Sequence, residues 1–160
     1  MNNLAIIPAR GGSKRIVGKN IKDFLGKPII AYSIEIAIKS GLFTEVMVST
    51  DSEEIAEIAK EYGAKTPFFR SSQNADDHAI LSDVVDEVLS MYTKEFKNIC
   101  CILPTAPLIT EEMLLQGLEL LEHEKFDSVR PVVQFSYPIQ RAIKISHQNS
   151  MEFFYPEYYK

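Results

Sequence analysis

Apolar and polar residues follow two periodicities along this chain, and segments of the two kinds alternate. Short apolar runs, typical of buried strands, are separated by longer segments whose apolar positions recur at helical spacing. The apolar runs predict strands over residues 4–7, 45–50, 98–103 and 127–133, with a short extended piece over 66–70. The helical segments predict helices that begin at Pro28, Asp51, Ile80 and Thr110.

This alternation predicts a three-layer α/β/α fold with a mostly parallel sheet. The run over 98–103 is almost entirely apolar, so it is predicted to be a central strand buried on both faces. Sheets of this kind bind ligands beyond the carboxyl ends of their strands. Three segments are therefore expected together at one edge, namely residues 8–20, 50–51 and 104–109.

Several residues predict where the helices begin and end. Pro28 suits the first helical position because it has no N–H to leave unpaired there. Gly41 and Gly63 suit the left-handed conformation that closes a helix. Asp51 and Glu54 have capping-box spacing, so Asp51 is predicted to cap its helix rather than to bind a metal.

Composition narrows the class of protein. A length of 160 residues is typical of a single domain. The formal net charge of -5 argues against nucleic-acid binding. The sequence predicts no bilayer-spanning segment and no signal peptide. Cys100 and Cys101 are adjacent within an apolar run, so they are interpreted as buried strand residues rather than a disulfide or metal pair. A reducing cytoplasm is the expected location.

The loop at 10–20 gives the strongest chemical signal. It contains three glycines and, on an acidic chain, four cations: Arg10, Lys14, Arg15 and Lys19. Glycine lets the backbone approach a phosphate, exposed N–H groups donate to its oxygens, and the cations neutralise its charge. The spacing is neither that of the P-loop nor that of the dinucleotide fingerprint. The loop is predicted to hold an anion, and the alternative is a solvated surface turn.

The string from Ile7 to Asn20 resembles the signature of the CMP-nonulosonic acid synthetases, the cytidylyltransferases that activate nine-carbon sugar acids. It departs from their pattern at Val17, where the family usually has proline. The resemblance implies a Rossmann-like nucleotide-diphospho-sugar transferase fold. It also implies that the loop wraps the triphosphate of CTP, with these residues in contact: Arg10, Gly11, Gly12, Ser13, Lys14, Lys19 and Asn20. Arg10, Lys14 and Lys19 are the expected catalytic residues, because they would stabilise charge on the phosphates.

The resemblance assigns further nucleotide contacts. Arg70 is similar to an arginine that reads cytosine, whose O2 and N3 are acceptors; the alternative is a surface arginine at the end of an edge strand. Relatives carry hydroxyl residues where Ile80 and Leu81 stand, and Ser82 is expected to replace them. The neighbouring pair at 76–77 is expected to shape the loop or to lie near the base, without binding metal.

Other segments resemble the pseudaminic acid branch of the family. Leu103 stands where the sialic acid enzymes have a glutamine linked to the sugar, and the following Thr105-Ala106-Pro107 is typical of the pseudaminic branch. Gln140 and Arg141 are expected to bind the carboxylate of the sugar, since arginine pairs with carboxylates in bidentate fashion. The alternative for these two is a turn at a subunit interface.

The resemblance also implies what lies beyond Lys160. Family members continue into a segment with two aspartates that hold Mg²⁺, so residues 1–160 are interpreted as one incomplete cytidylyltransferase domain from a shortened gene product or protein. No metal ligand is therefore assigned within the chain. Residues 134–160 are expected to form a dimerisation arm.

The implied reaction transfers CMP from CTP to a pseudaminic or sialic acid type of sugar and releases pyrophosphate, with Mg²⁺ as cofactor. The expected partners are CTP, a nonulosonic acid and a second copy of the chain, without nucleic acid or membrane. One alternative is an inactive fragment that binds nucleotide or dimerises. A weaker alternative is a related sugar-phosphate nucleotidyltransferase that uses UTP or GTP.

Overall fold

The computed structural model describes residues 2–123 and 126–159, and the chain divides into two compact units, 1–126 and 127–160. The first unit contains a three-stranded sheet and all the helices longer than one turn among the described residues. The strands of that sheet are β1 (Asn3–Pro8), β4 (Glu45–Ser49) and β5 (Asn98–Cys101). A small antiparallel pair, β2 (Asp23–Phe24) with β3 (Lys27–Pro28), lies between β1 and the first helix in sequence.

The main sheet is parallel and has the order β4–β1–β5. Leu4 pairs with Glu45 on one side and with Ile99 on the other. Successive side chains of a strand point to opposite faces, and every side chain of β1 from Leu4 to Ile7 is fully buried. The first apolar run of the chain is therefore its central strand.

Four helices cover the two faces of this sheet. They are α1 (Ile29–Lys39), α2 (Glu53–Glu61), α3 (Leu81–Met91) and α4 (Glu111–His123). Ala5 and Ile7 of β1 pack in a core shared with α1, α2 and α4, whereas Leu4 and Ile6 pack in a second core with Val88 of α3. This arrangement confirms the predicted three-layer α/β fold with a parallel sheet.

Two predictions about strands were wrong. Residues 98–103 do not form a central strand: β5 lies at an edge of the described sheet, and its four residues are only half-buried. Residues 127–133 form no strand, and Val132 and Val133 are 89% and 88% exposed. Strand propensity is realised only when a neighbour pairs with the backbone, and Pro131 has no N–H to offer to such a neighbour. The extended piece predicted at 66–70 forms no strand either: an isolated bridge nearby pairs Met47 with Lys65, and the N–H of Arg70 donates to the carbonyl of Thr50 at 2.8 Å.

The helix ends follow the prediction with two corrections. Pro28 flanks α1 instead of starting it. The cap of α2 is Ser52, whose side chain accepts from the N–H of Ile55, and Asp51 is not the cap. Gly41 and Gly63 have φ of 65° and 91°, as predicted for residues that close a helix.

Glu45, at the start of β4, forms a buried charge cluster that the sequence pattern did not indicate. Its side chain is 6% exposed and accepts hydrogen bonds from Lys65 at 3.0 Å, from Lys94 at 2.9 Å and from the hydroxyl of Tyr92. Burial alone would raise the pKa of Glu45, but these three donors outweigh it and bring the pKa to about 2. Burial and the same contact raise the pKa of Tyr92. The cluster lies at the amino end of β4, opposite the edge where ligands are expected.

The second unit contains a hairpin of β6 (Ile143–Ile145) and β7 (Met151–Phe153). Single turns of 3-10 helix span Ile139–Arg141 and Pro156–Tyr158. The rings of Phe153 and Tyr159 stack with their centroids 3.7 Å apart. The role of residues 134–160 as a dimerisation arm stays a prediction.

Candidate functional site

The three segments expected at the carboxyl edge of the sheet follow parallel strands and meet there. The N–H of Ala9 donates to the carbonyl of Ser49 at 2.9 Å, which extends the pairing of β1 with β4 into the loop. The N–H of Gly11 then donates to Asp51 Oδ1 at 2.8 Å. On the other side of the same peptide, Asn20 Nδ2 donates to the carbonyl of Arg10 at 2.9 Å. The start of the glycine-rich loop is therefore fixed by contacts on both sides.

Gly11 lies close to Ser52. A Cβ atom at position 11 would lie 3.1 Å from the Cβ of Ser52, tighter than most such contacts, so Ser52 would have to shift by a few tenths of an ångström. Gly18 is required by conformation, because its φ of +62° is disfavoured for residues with a side chain. Gly12 has open space around it, so its backbone is accessible to a ligand.

Arg10 and Lys14 converge on one carboxylate, that of Asp77. Arg10 Nη2 lies 2.7 Å from Asp77 Oδ1, and Lys14 Nζ contacts Asp77 Oδ2. Arg10 Nη1 also donates to the carbonyls of Asp76 at 2.5 Å and Ala75 at 3.3 Å. Hydrogen bonds from Lys14 and Arg10 hold the pKa of Asp77 below its usual range. Two of the predicted phosphate ligands thus already bind an anionic group together.

The polar loop that carries Asp77 is anchored on α3. Glu87 accepts from the N–H of Ser71 at 2.8 Å and from Asn74 Nδ2 at 2.9 Å. Asp76 accepts from the N–H groups of His78 and Ala79, which closes a tight turn after the pair. The sequence-based expectation that Asp76 shapes the loop is confirmed by these contacts.

Arg70 is not a surface residue, since only 8% of it is exposed. Its Nε donates to Ser49 Oγ at 3.0 Å and its Nη2 donates to the carbonyl of Ser49 at 2.6 Å. Burial lowers its pKa, and the charge of Asp51 opposes that effect. The guanidinium is thereby held against the carboxyl end of β4. Within the described residues its Nη1 makes no hydrogen bond.

The remaining nucleotide candidates differ in exposure. Ser13 is half-buried, Lys19 is exposed and Asn20 is only 4% exposed. The Oδ1 of Asn20 is buried without a hydrogen-bond partner in the described structure. Ser82 is exposed in the first turn of α3.

A shallow groove of about 250 Å³ adjoins the loop. Lys19 and Lys22 line it from one segment and Thr105 from the segment after β5, with an apolar floor formed by Ile16, Phe24 and Ile29. The third predicted segment therefore contributes to the same edge. Gln140 and Arg141 lie in the second unit, on an exposed turn of 3-10 helix.

The described residues contain no group of three His, Cys, Asp or Glu side chains arranged to hold a metal. Asp51, Asp76 and Asp77 each already accept hydrogen bonds from protein groups. Cys100 and Cys101 are free thiols in β5, and burial raises the pKa of each to about 11. In the part of the chain that the structure describes, no helix is both long and apolar enough to cross a membrane.

Sequence reasoning missed the roles of Asp51 and Asp77 in this site. Asp51 directly follows a strand that ends at the same edge as the loop, and that position was the available signal. Asp77 lies 63 residues from Lys14, and no local pattern connects the two. The structure therefore adds two carboxylates to a site that the sequence described mainly by its cations.

Comparisons with known proteins identify the family of the chain. A model of the cytidylyltransferase family matches residues 4–152. The pseudaminic acid cytidylyltransferase of Campylobacter jejuni subsp. jejuni serotype O:2 is 46% identical over 100% of this chain and 70% of its own length. The N-acylneuraminate cytidylyltransferase of Escherichia coli is 34% identical over 98% of this chain and 37% of its own length.

Solved structures give the same picture. The structure of CMP:2-keto-3-deoxy-manno-octonic acid synthetase complexed with CTP superposes with a TM-score of 0.67 at 26% identity. The match covers 78% of this chain and 49% of that one. This chain thus spans about half the length of that solved relative.

Proposed function

The chain belongs to the cytidylyltransferase family, and we propose that it transfers CMP from CTP to a nonulosonic acid of the pseudaminic acid type. The observation that carries the proposal is the convergence of Arg10 and Lys14 on one anionic group at the carboxyl edge of a parallel sheet. Such an edge is where α/β sheets bind nucleotides. The choice of sugar rests on the 46% identity to a pseudaminic acid cytidylyltransferase.

In this proposal the residues of the first loop bind the triphosphate. Arg10, Lys14 and Lys19 neutralise its oxygens, and the open backbone of Gly12 offers an N–H donor. Ser13 offers its hydroxyl, because its own N–H donates to the carbonyl of Gly11 at 2.9 Å. The anomeric hydroxyl of the sugar forms a bond to the α-phosphorus while the bond to the bridging oxygen of the β-phosphate breaks. The hydroxyl gives its proton to solvent and pyrophosphate leaves, so the main contributions of the protein are positioning and charge neutralisation.

We assign base recognition to Arg70 and Ser82. The guanidinium of Arg70 is fixed by Ser49 and keeps Nη1 for a ligand, and cytosine offers the acceptors O2 and N3. The hydroxyl of Ser82 is exposed at the start of α3. For the sugar acid we keep Gln140 and Arg141 as the carboxylate ligands.

Mg²⁺ is proposed to enter with the triphosphate. The described carboxylates do not fit a preformed magnesium cage, because those at the site already have protein partners. Mg²⁺ usually binds through few carboxylates and several phosphate or water oxygens. We assign it no ligand among the described residues, and we propose that the working protein is a cytoplasmic homodimer.

The test mixes the protein with CTP, Mg²⁺ and pseudaminic or sialic acid and follows pyrophosphate, while calorimetry measures CTP binding separately. Replacing Lys14 or Lys19 by Ala is expected to lower kcat/KM by roughly 10- to 100-fold, the loss of one charge-assisted hydrogen bond. Lys60→Ala, an exposed cation on α2, is the matched control and should leave the rate unchanged.

The outcomes separate the three hypotheses. CTP binding without pyrophosphate release, with either sugar acid, would reject the catalytic proposal in favour of a nucleotide-binding fragment. Competition by UTP or GTP as strong as that by CTP would instead favour a related sugar-phosphate nucleotidyltransferase.

A further inference from the structure

We propose that Asp77 is an internal competitor of the nucleotide phosphates. Its carboxylate lies between Arg10 and Lys14, where a phosphate would bind, and the triphosphate must displace it. The inference rests on the proposed function, since it concerns the regulation of the same site.

The geometry supports competition because both cations are engaged at once. One oxygen of Asp77 binds the guanidinium of Arg10 and the other binds the ammonium of Lys14. Two oxygens of one phosphate group would make the same pair of contacts. While Asp77 holds them, the Nη2 of Arg10 and one donor of Lys14 are engaged, and the negative charge of the carboxylate repels an incoming phosphate.

The carboxylate of Asp77 is also delivered by a built loop. Glu87 fixes the start of this loop on α3, and the carboxylate of Asp76 fixes the turn after it. The neighbouring acids have other partners, since Asp51 binds the N–H of Gly11 and Asp76 binds its own turn. Asp77 is therefore the described carboxylate that pairs with the two phosphate-binding cations.

The contact is exposed enough to be displaced. The side chains of Arg10, Lys14 and Asp77 are 31%, 81% and 39% exposed. Exposed ion pairs are weak, and a competing internal state lowers apparent ligand affinity by the fraction of protein that is free to bind. Asp77 is therefore expected to weaken triphosphate binding by roughly three- to tenfold.

This competition has a functional consequence. Only a ligand with several negative charges binds Arg10 and Lys14 more favourably than the carboxylate of Asp77 does, so the loop discriminates against weakly charged ligands. When the pyrophosphate product begins to dissociate, Asp77 rebinds Arg10 and Lys14 and promotes its release. The loop that carries Asp77 thus lowers the affinity for the triphosphate and speeds the release of pyrophosphate.

The experiment measures binding of inorganic pyrophosphate and CTP to the parent chain, Asp77→Asn and the control Asp86→Asn by calorimetry. Asp86 is exposed on α3, so its variant has the same change in net charge at a different place. Asp77→Asn is expected to bind both ligands roughly three- to tenfold more tightly, and the gain should shrink at high salt. In a Lys14→Ala background the same substitution should gain less, because one of its partners is gone.

Unchanged or weaker binding by a folded Asp77→Asn protein would overturn the inference, since Asp77 would then be neutral or would position the cations. An equal gain in Asp86→Asn would also overturn it, because it would indicate a general charge effect. Failure of the parent chain to bind either CTP or pyrophosphate would reject the proposed function itself.

Discussion

The buried carboxylate of Glu45 makes a stability prediction that follows from its surroundings. In Glu45→Gln the charge is lost while Lys65, Lys94 and Tyr92 remain around the site. A fall in pKa from 4.5 to about 2 corresponds to at most about 3.4 kcal/mol of stability at neutral pH. Because the side chains of Lys65 and Lys94 are 66% and 46% exposed, solvent screening reduces the expected loss to about 1–2 kcal/mol.

The sign of the pH dependence follows from the direction of the shift. The folded pKa of Glu45 lies below its unfolded value, so the stabilisation is complete above pH 4.5 and is lost as the pH falls toward 2. At pH 3 the difference between parent and variant should be roughly two-fifths of its value at pH 7.

Urea unfolding followed by circular dichroism at pH 7, 5, 4 and 3 provides the measurement. Glu57→Gln, on the exposed face of α2, is the matched control and should change the free energy of unfolding by less than about 0.5 kcal/mol. Equal stability of parent and Glu45→Gln at pH 7 would refute the reasoning. A difference that persists undiminished at pH 3 would show that packing, and not charge, is responsible.

Two further predictions concern the edge of the site. Ser52→Ala should lower the free energy of unfolding by about 1 kcal/mol because Ser52 caps α2. Asp51→Asn keeps an acceptor for the N–H of Gly11 and should lower it by less. If urea unfolding gave the reverse order, Asp51 and not Ser52 would be the cap of α2. Gly11→Ala should lower the free energy of unfolding by about 1 kcal/mol or more because its Cβ would press against Ser52. Gly12→Ala, which has open space around it, should change the free energy of unfolding by less than about 0.5 kcal/mol. Equal thermal and urea stability of the two variants would contradict this account.

The part of the fold that the sequence predicted correctly depends on local patterns. The apolar runs near residues 4 and 45 became β1 and β4 because strands buried on both faces have a nearly continuous apolar sequence, here Leu4–Ile7 and Val46–Val48. Residues 127–133 contain three valines but also Pro131, and they form no strand, since pairing depends on a neighbour that no local pattern encodes. The position of β5 at an edge, although three of its four residues are apolar, likewise depends on the whole sheet and not on a local pattern.

The candidate site divides in the same way. Its glycines and cations were identified because they lie within one loop. The prediction that Asp51 caps α2 was wrong, because Asp51 and Ser52 are adjacent and both have side chains that can cap a helix. In the structure Asp51 accepts from the N–H of Gly11 in the first loop, and Ser52 caps the helix. Contacts such as Lys14 with Asp77, or Tyr92 with Glu45, join residues 63 and 47 positions apart, a separation that leaves no periodic trace.

The hydrogen bond from Gly11 to Asp51 also provides a spectroscopic probe. An amide proton on an exposed loop normally exchanges rapidly with solvent, but this one is held by a carboxylate at a heavy-atom distance of 2.8 Å. Its exchange rate in a nitrogen-labelled sample therefore reports whether the loop is tethered to the sheet, with no substrate or turnover needed. Slow exchange of this proton would mark the loop as ordered before the nucleotide arrives, and rapid exchange in Asp51→Ala would identify the carboxylate as the cause.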